Sequence, residues 1–322
     1  MARTPLSGIQ HALRAGDYEA VVSSVGASLR SLSFRGRDLV VPHAADEVGP
    51  GYPGVTLVPW PNRIVDGRYS FAGTDYQLAL TEPSRSAALH GLGTWLDYQT
   101  VDKSPSHVTL EAVIEAQTGY PWRIVVRTTF SLNSEGLTQS VTATNDGLSA
   151  APWGTSAHPY LMAGEGPVDG WTLELPADTV LHATPDRLSP TRLRPVDATD
   201  ADVDDPTRFD FRTARPIGAA SIDNAFTGVS RDADGLARLQ LTDASGSGVA
   251  MIWDAACPWV QLYTSDQPDG AANPAHRAAV AVEPMTCAPD AFNAASYPYD
   301  TGLIVIEPGA DTTAAWRIEA IS

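Results

Sequence analysis

The chain has little cysteine and little positive charge. Cys257 and Cys287 are the only cysteines in 322 residues, too few for a disulfide framework or a thiolate zinc site. They are expected as two buried free thiols. Lys and Arg number 21 against 38 Asp and Glu, a net charge of −17. That balance argues against a nucleic-acid backbone or an anionic membrane as partner. No apolar run approaches the length of a membrane-spanning helix. Residues 1–20 carry no apolar core of a signal peptide, so the cytoplasm is the expected location. A Gly-rich phosphate loop, a G-x-S-x-G elbow and an H-E-x-x-H pair are all missing. The seven histidines never fall at metal-ligand spacing. The expectation is therefore no cofactor and no metal. Apolar residues do not recur at helical spacing over several turns either, which argues against long helices.

What is present is turn chemistry and alternation. The 26 Gly and 25 Pro punctuate short apolar runs, as in a β-meander. Such runs are expected as strands at 18–25, 28–34, 38–41, 107–116, 137–144 and 236–242, among others. The clearest is 122–132, where Trp122, Ile124, Val126, Thr128, Phe130 and Leu132 share one face. Arg123, Arg127, Thr129 and Ser131 share the other, which predicts an antiparallel sheet with one covered face. No repeat or low-complexity linker divides the chain. The reading is one all-β domain over 1–322, a large antiparallel β-sandwich rather than a barrel. The segment 184–215 is rich in Pro, Asp, Thr and Arg and lacks periodicity, and the acidic residues concentrate at 197–210. It reads as a functional loop or a surface excursion.

The stretch 278–293, AAVAVEPMTCAPDAFN, organises the functional reading. Val280 and Val282 alternate with Ala279 and Ala281 as a strand, which then reaches Glu283 and Pro284. Proline cannot donate to a sheet ladder, so pairing is expected to end there. The residue before a proline is held extended. Glu283 is thus a carboxylate fixed at a strand end, and His158, ahead of Pro159, has the same setting. Together they form a candidate base and acid. Two further segments are stiff or open. Pro59-Trp60-Pro61-Asn62-Arg63 is either the wall of a cleft or a core Trp beside a surface Arg. Leu89-His90-Gly91 places a His where a Gly lets a ligand approach closely.

These segments resemble the aldose 1-epimerases, the galactose mutarotase-like family. The resemblance is carried by Asn62-Arg63-Ile64 with Gly67 and Tyr69, by Leu89-His90-Gly91, and by His158-Pro159-Tyr160-Leu161. Ile222-Asp223 with Phe226 and Val282-Glu283-Pro284 ahead of Asp290-Ala291-Phe292-Asn293 complete it, in the family's order from about residue 16 onward. It implies a galactose mutarotase-like β-sandwich that needs no cofactor and interconverts the α and β anomers of a free hexose such as glucose or galactose. It implies Glu283 as general base and His158 as general acid. His90, Arg63 and Asp223, with Asn62 beside them, would hold the sugar hydroxyls and ring oxygen. Two departures bear on sugar specificity: His90 is followed by Gly91-Leu92 where many members have two glycines, and Ala157 stands where an aromatic is common.

The residue types suit the chemistry. Opening a hemiacetal ring removes the proton of the anomeric hydroxyl and protonates the ring oxygen, tasks for a Glu and a His. Trp60 could pack on the sugar's apolar face, although eight tryptophans are mostly expected in the core. Two other readings fit the same scaffold. One is a hexose-6-phosphate 1-epimerase, which needs converging cations such as Arg187, Arg192 and Arg194. The other is a carbohydrate-binding protein without turnover. The expected partner is a small sugar, bound by a monomer or a homodimer.

Overall fold

A computed structural model of the chain describes residues 3–49, 51–199, 205 and 207–322. It is a mostly β structure, 47% strand and 5% helical, so tertiary position is set by sheet register. Among the described residues, the largest sheet has nine strands. Their order is Gln99–Ser104, His107–Ile114, Ile124–Asn133, Gly136–Asn145, Asp311–Ile321, Gly248–Trp253, Ala237–Thr242, Thr172–Glu174 and Arg215–Pro216. A six-stranded sheet runs Tyr160–Leu161, Val280–Met285, Trp259–Tyr263, Asp223–Val229, Ala177–Ala183 and Pro190–Pro195. A four-stranded meander, Gln10–Ala15 to Arg37–Asp38, leads the chain. Neighbouring strands in all three sheets pair antiparallel. Expected strand boundaries mostly hold within a residue or two, but 38–41 shortens to Arg37–Asp38.

The predicted faces of 122–132 are observed. Ile124, Val126, Thr128, Phe130 and Leu132 are buried, although the strand itself starts at Ile124. On the paired Gly136–Asn145 strand, Gln139 is buried among Leu137, Val141 and Ala143. It is tolerated because its amide donates to Thr56 Oγ1 at 3.0 Å and accepts from Trp316 Nε1 at 3.2 Å. Cys257 and Cys287 are free and buried, as expected.

Two expectations need correction, and one open alternative is decided. Pairing does not end at Pro284. The strand continues to Met285, with Val260 opposite Pro284 and Trp259 opposite Met285. The reason is the period of two. Val282 N donates to Pro159 O and Thr286 N donates to Thr155 O, so the missing Pro284 N–H falls on the side of segment 155–159. The ladder to the Trp259–Tyr263 strand uses the odd-numbered residues and is untouched. Trp60 is no cleft wall. It is buried, donates to Ala88 O and packs edge-on against Phe292. The segment 184–215 is not one long loop either, because Pro190–Pro195 forms the edge strand of the six-stranded sheet beside Ala177–Ala183. Residues 200–204 and 206 of its acidic part lie outside the described residues.

Candidate active site

Alternation in the six-stranded sheet sorts its side chains cleanly. Val280, Val282, Val260, Leu262, Val180 and Phe226 lie on the face that joins the main core. Glu283 is paired with Gln261, Gln261 with Ala225, and Asp223 with Tyr263, so these share the opposite face. Tyr160 joins them opposite Ala281. This face floors a cleft of about 250 Å³.

The facing wall is a two-stranded ribbon, Arg63–Val65 with Ala87–Leu89. It presents Asn62, Arg63 and His90 to the cleft. Asn62 and His90 both have left-handed backbones, with φ of +55° and +61°. A side chain other than glycine's rarely adopts that region, and where it does the cause is local over-determination. Here His90 N donates to Asn62 O at 2.8 Å. Gly91 follows with φ +79°, and a Cβ there would sit 2.0 Å from Val58 O. His158 is fixed between strands Ser156–Ala157 and Tyr160–Leu161, its amide donating to Val55 O and its carbonyl accepting from Gly54 N. All six residues singled out in the sequence, Asn62, Arg63, His90, His158, Asp223 and Glu283, therefore line one cleft.

His158 Nε2 lies 3.3 Å from Glu283 Oε1, and both side chains are almost wholly buried. Burial pushes Glu283 well above the usual carboxylate range, with the Asp223 charge adding to the rise and Arg63 opposing it. Burial likewise lowers His158 to about 4. His90 is held well below its ordinary value by burial, then by His158 and Arg63. Its ring packs edge-on to His158 at 5.3 Å and to Tyr52 at 4.9 Å. Asp223 is raised by burial against the pull of Arg63, and Gln261 Nε2 donates to its Oδ1 at 2.7 Å.

Several polar atoms of the residues that line this cleft are buried without a hydrogen bond to another residue: Glu283 Oε2, His158 Nδ1, His90 Nδ1 and Gln261 Oε1. Buried polar groups are normally satisfied, and a polar ligand in the cleft is one way these four would be completed. Among the described residues no group of three or more His, Cys, Asp or Glu is placed to hold a metal ion.

The aldose 1-epimerase family model matches residues 10–319. The chain belongs to the aldose 1-epimerase family. It is 37% identical over 289 residues to the Escherichia coli K12 protein YihR, described only as uncharacterized, covering 89% of this chain and 87% of that one. Its fold is similar to that of the GalM/aldose epimerase homologue from C. elegans, with TM-score 0.80, 20% identity and coverage of 98% and 100%. It is also similar to galactose 1-epimerase from Lactobacillus acidophilus, with TM-score 0.76, 16% identity and coverage of 97% and 95%. These neighbours bear out the aldose 1-epimerase sandwich expected from the motifs.

Sequence reasoning missed Tyr52, Glu82, Arg85, Gln261 and Tyr263, which also line this cleft. Gln261 and Tyr263 had a signal, being the polar phase of a strand whose other phase is Val260 and Leu262. Glu82 stands before Pro83, the setting that singled out Glu283. Glu307 stands before Pro308 and is exposed, so that setting marks extended backbone and not function by itself.

Proposed function

We propose that the protein is a mutarotase that interconverts the α and β anomers of a free hexose. The observation that carries this reading is the buried Glu283–His158 pair, 3.3 Å apart, with an unpartnered oxygen and an unpartnered nitrogen in the same cleft. Anomerisation needs one group holding a proton and one without. In this reading the pair shares one proton, held by either member. In the ion-paired arrangement Glu283 takes the proton of the anomeric hydroxyl while His158 gives its proton to the ring oxygen. The C1–O5 bond breaks and the open aldehyde forms. Glu283 is then protonated and His158 neutral, the state that burial favours. Rotation about C1–C2 followed by reversal of both transfers closes the ring as the other anomer. Arg63, His90, Asn62 and Asp223 are read as holding the ring oxygen and hydroxyls, with Arg63 stabilising charge that develops on the ring oxygen.

The cations of the cleft support a phosphorylated substrate less well. They are Arg63 and Arg85, and both are engaged by Glu82. Arg187 donates instead to Asp66 and to the carbonyls of Arg85 and Ser86. Polarimetry of freshly dissolved α-D-glucose and α-D-galactose tests the reading. Acceleration of either sugar toward equilibrium is expected. Silence on both, with acceleration of a hexose 6-phosphate, would move the assignment to the phosphorylated class.

A further inference from the structure

Glu82 has no place in the acid–base scheme, yet it makes the closest contacts of any residue with Arg63. Its Oε2 accepts from Arg63 Nε at 2.6 Å and its Oε1 from Arg63 Nη2 at 3.0 Å, a two-pronged carboxylate–guanidinium pair. Both side chains are largely buried. The backbone makes this contact rigid. Glu82 N donates to Ala87 O and Ala87 N donates to Glu82 O, while Ala87 is paired to Val65 on the strand that carries Arg63. Arg85 Nε holds the same Glu82 Oε1 at 3.2 Å and is itself anchored on Asp186 O.

The rest of the cleft shows why such a clamp matters. Arg63 lies within the electrostatic reach of Asp223 and Glu283 as well as Glu82. A guanidinium loose among three carboxylates would settle on whichever it reached. From this geometry we infer that Glu82 is a positioning residue for Arg63. It binds the Nε and Nη2 edge, leaves Nη1 as the one nitrogen it does not engage, and keeps the guanidinium from closing onto Glu283. The inference rests on the mutarotase reading of the cleft and adds a residue to it.

A double-mutant cycle on mutarotation tests it, using Glu82→Gln, Arg63→Lys and the double variant, with thermal midpoints measured alongside. Glu82→Gln is expected to lower kcat/KM by roughly 10²-fold, the scale of a misplaced group near the chemistry. The double variant is expected to be no slower than Arg63→Lys alone. The acid limb of the kcat/KM profile of Glu82→Gln is expected to move to lower pH, because a released Arg63 favours ionised Glu283. A merely structural salt bridge would lower the thermal midpoint without moving that limb. Losses that multiply in the double variant, or an unmoved limb, overturn the inference. Should Glu82→Gln fail to fold, Glu82→Asp keeps the charge and shortens the reach. A reduced rate is then expected, and an Asp variant at full rate overturns the inference. Silence of the wild-type protein on both hexoses is seen before any variant is compared, and defeats the mutarotase reading together with this one.

Discussion

The two faces of the six-stranded sheet are made by the same strands and differ in what they leave unfinished. On the core face, Val260, Leu262, Val280 and Val282 are completely buried among other apolar side chains. On the cleft face, the residues next to them in sequence, Gln261 and Glu283, are also buried, yet Gln261 Oε1 and Glu283 Oε2 have no partner. Asp290, a few residues beyond Glu283, sharpens the contrast. It is buried too, but its Oδ1 accepts from Val65 N and Asn293 Nδ2 and its Oδ2 from Tyr297 OH. Burial of a carboxylate is therefore not the mark of this site. Among the described residues Glu283 is instead the one buried carboxylate with an unanswered oxygen, and such an atom is costly unless something completes it.

Substitutions that exchange the roles of the two faces should separate rate from stability. After loss of the Glu283 carboxylate, the largest effect is expected from His158→Asn, which should lower kcat for mutarotation by roughly 10²–10⁴-fold while the protein stays folded by circular dichroism. Next comes Leu262→Ala on the core face, expected to cost about 2–5 kcal/mol in denaturant unfolding. Gln261→Ala, one residue away, should cost far less stability and more rate, and equal costs from the two would erase the distinction between the faces. Gly91→Ala is expected to cost about 1–3 kcal/mol and to slow the reaction, because its φ of +79° is strained for alanine and the Cβ would meet Val58 O beside His90. The smallest effect is in the pH dependence of the thermal midpoint. Burial lowers His158 from its ordinary 6.5 to about 4, so the unfolded chain takes up this proton first as pH falls. The stability that comes from keeping His158 neutral is present above 6.5 and lost between 6.5 and about 4. His158→Asn should flatten that part of the curve.

How much of this was legible in the sequence depended on pattern. Strands with one covered face declared themselves, as at 122–132, because alternation is a direct consequence of the pleat. Edge strands did not. Gln99–Ser104 is mostly exposed and Pro190–Pro195 is polar with a proline at each end, so neither has an apolar face to read. Asn62, Arg63, His90, His158, Asp223 and Glu283 were found through motifs, and the fold does bring them to one cleft. Glu82 stands before a proline as Glu283 does, but its contact with Arg63, 19 residues away, is reported by no local pattern. Trp60 was open to both readings because stiffness from flanking prolines says nothing about which side of the backbone faces the core.

The central claim is that the unfinished face does the chemistry while the finished one only holds it in place. Polarimetry of fresh α-D-galactose and α-D-glucose with Glu283→Gln and with Val282→Ala, at equal concentrations of folded protein, tests it most directly. On whichever hexose the wild type turns over, the Gln variant is predicted to leave only the spontaneous rate, and the Ala variant to retain most of the wild-type rate with a lowered thermal midpoint. A Glu283→Gln protein that still turns the sugar at the wild-type rate would contradict the account.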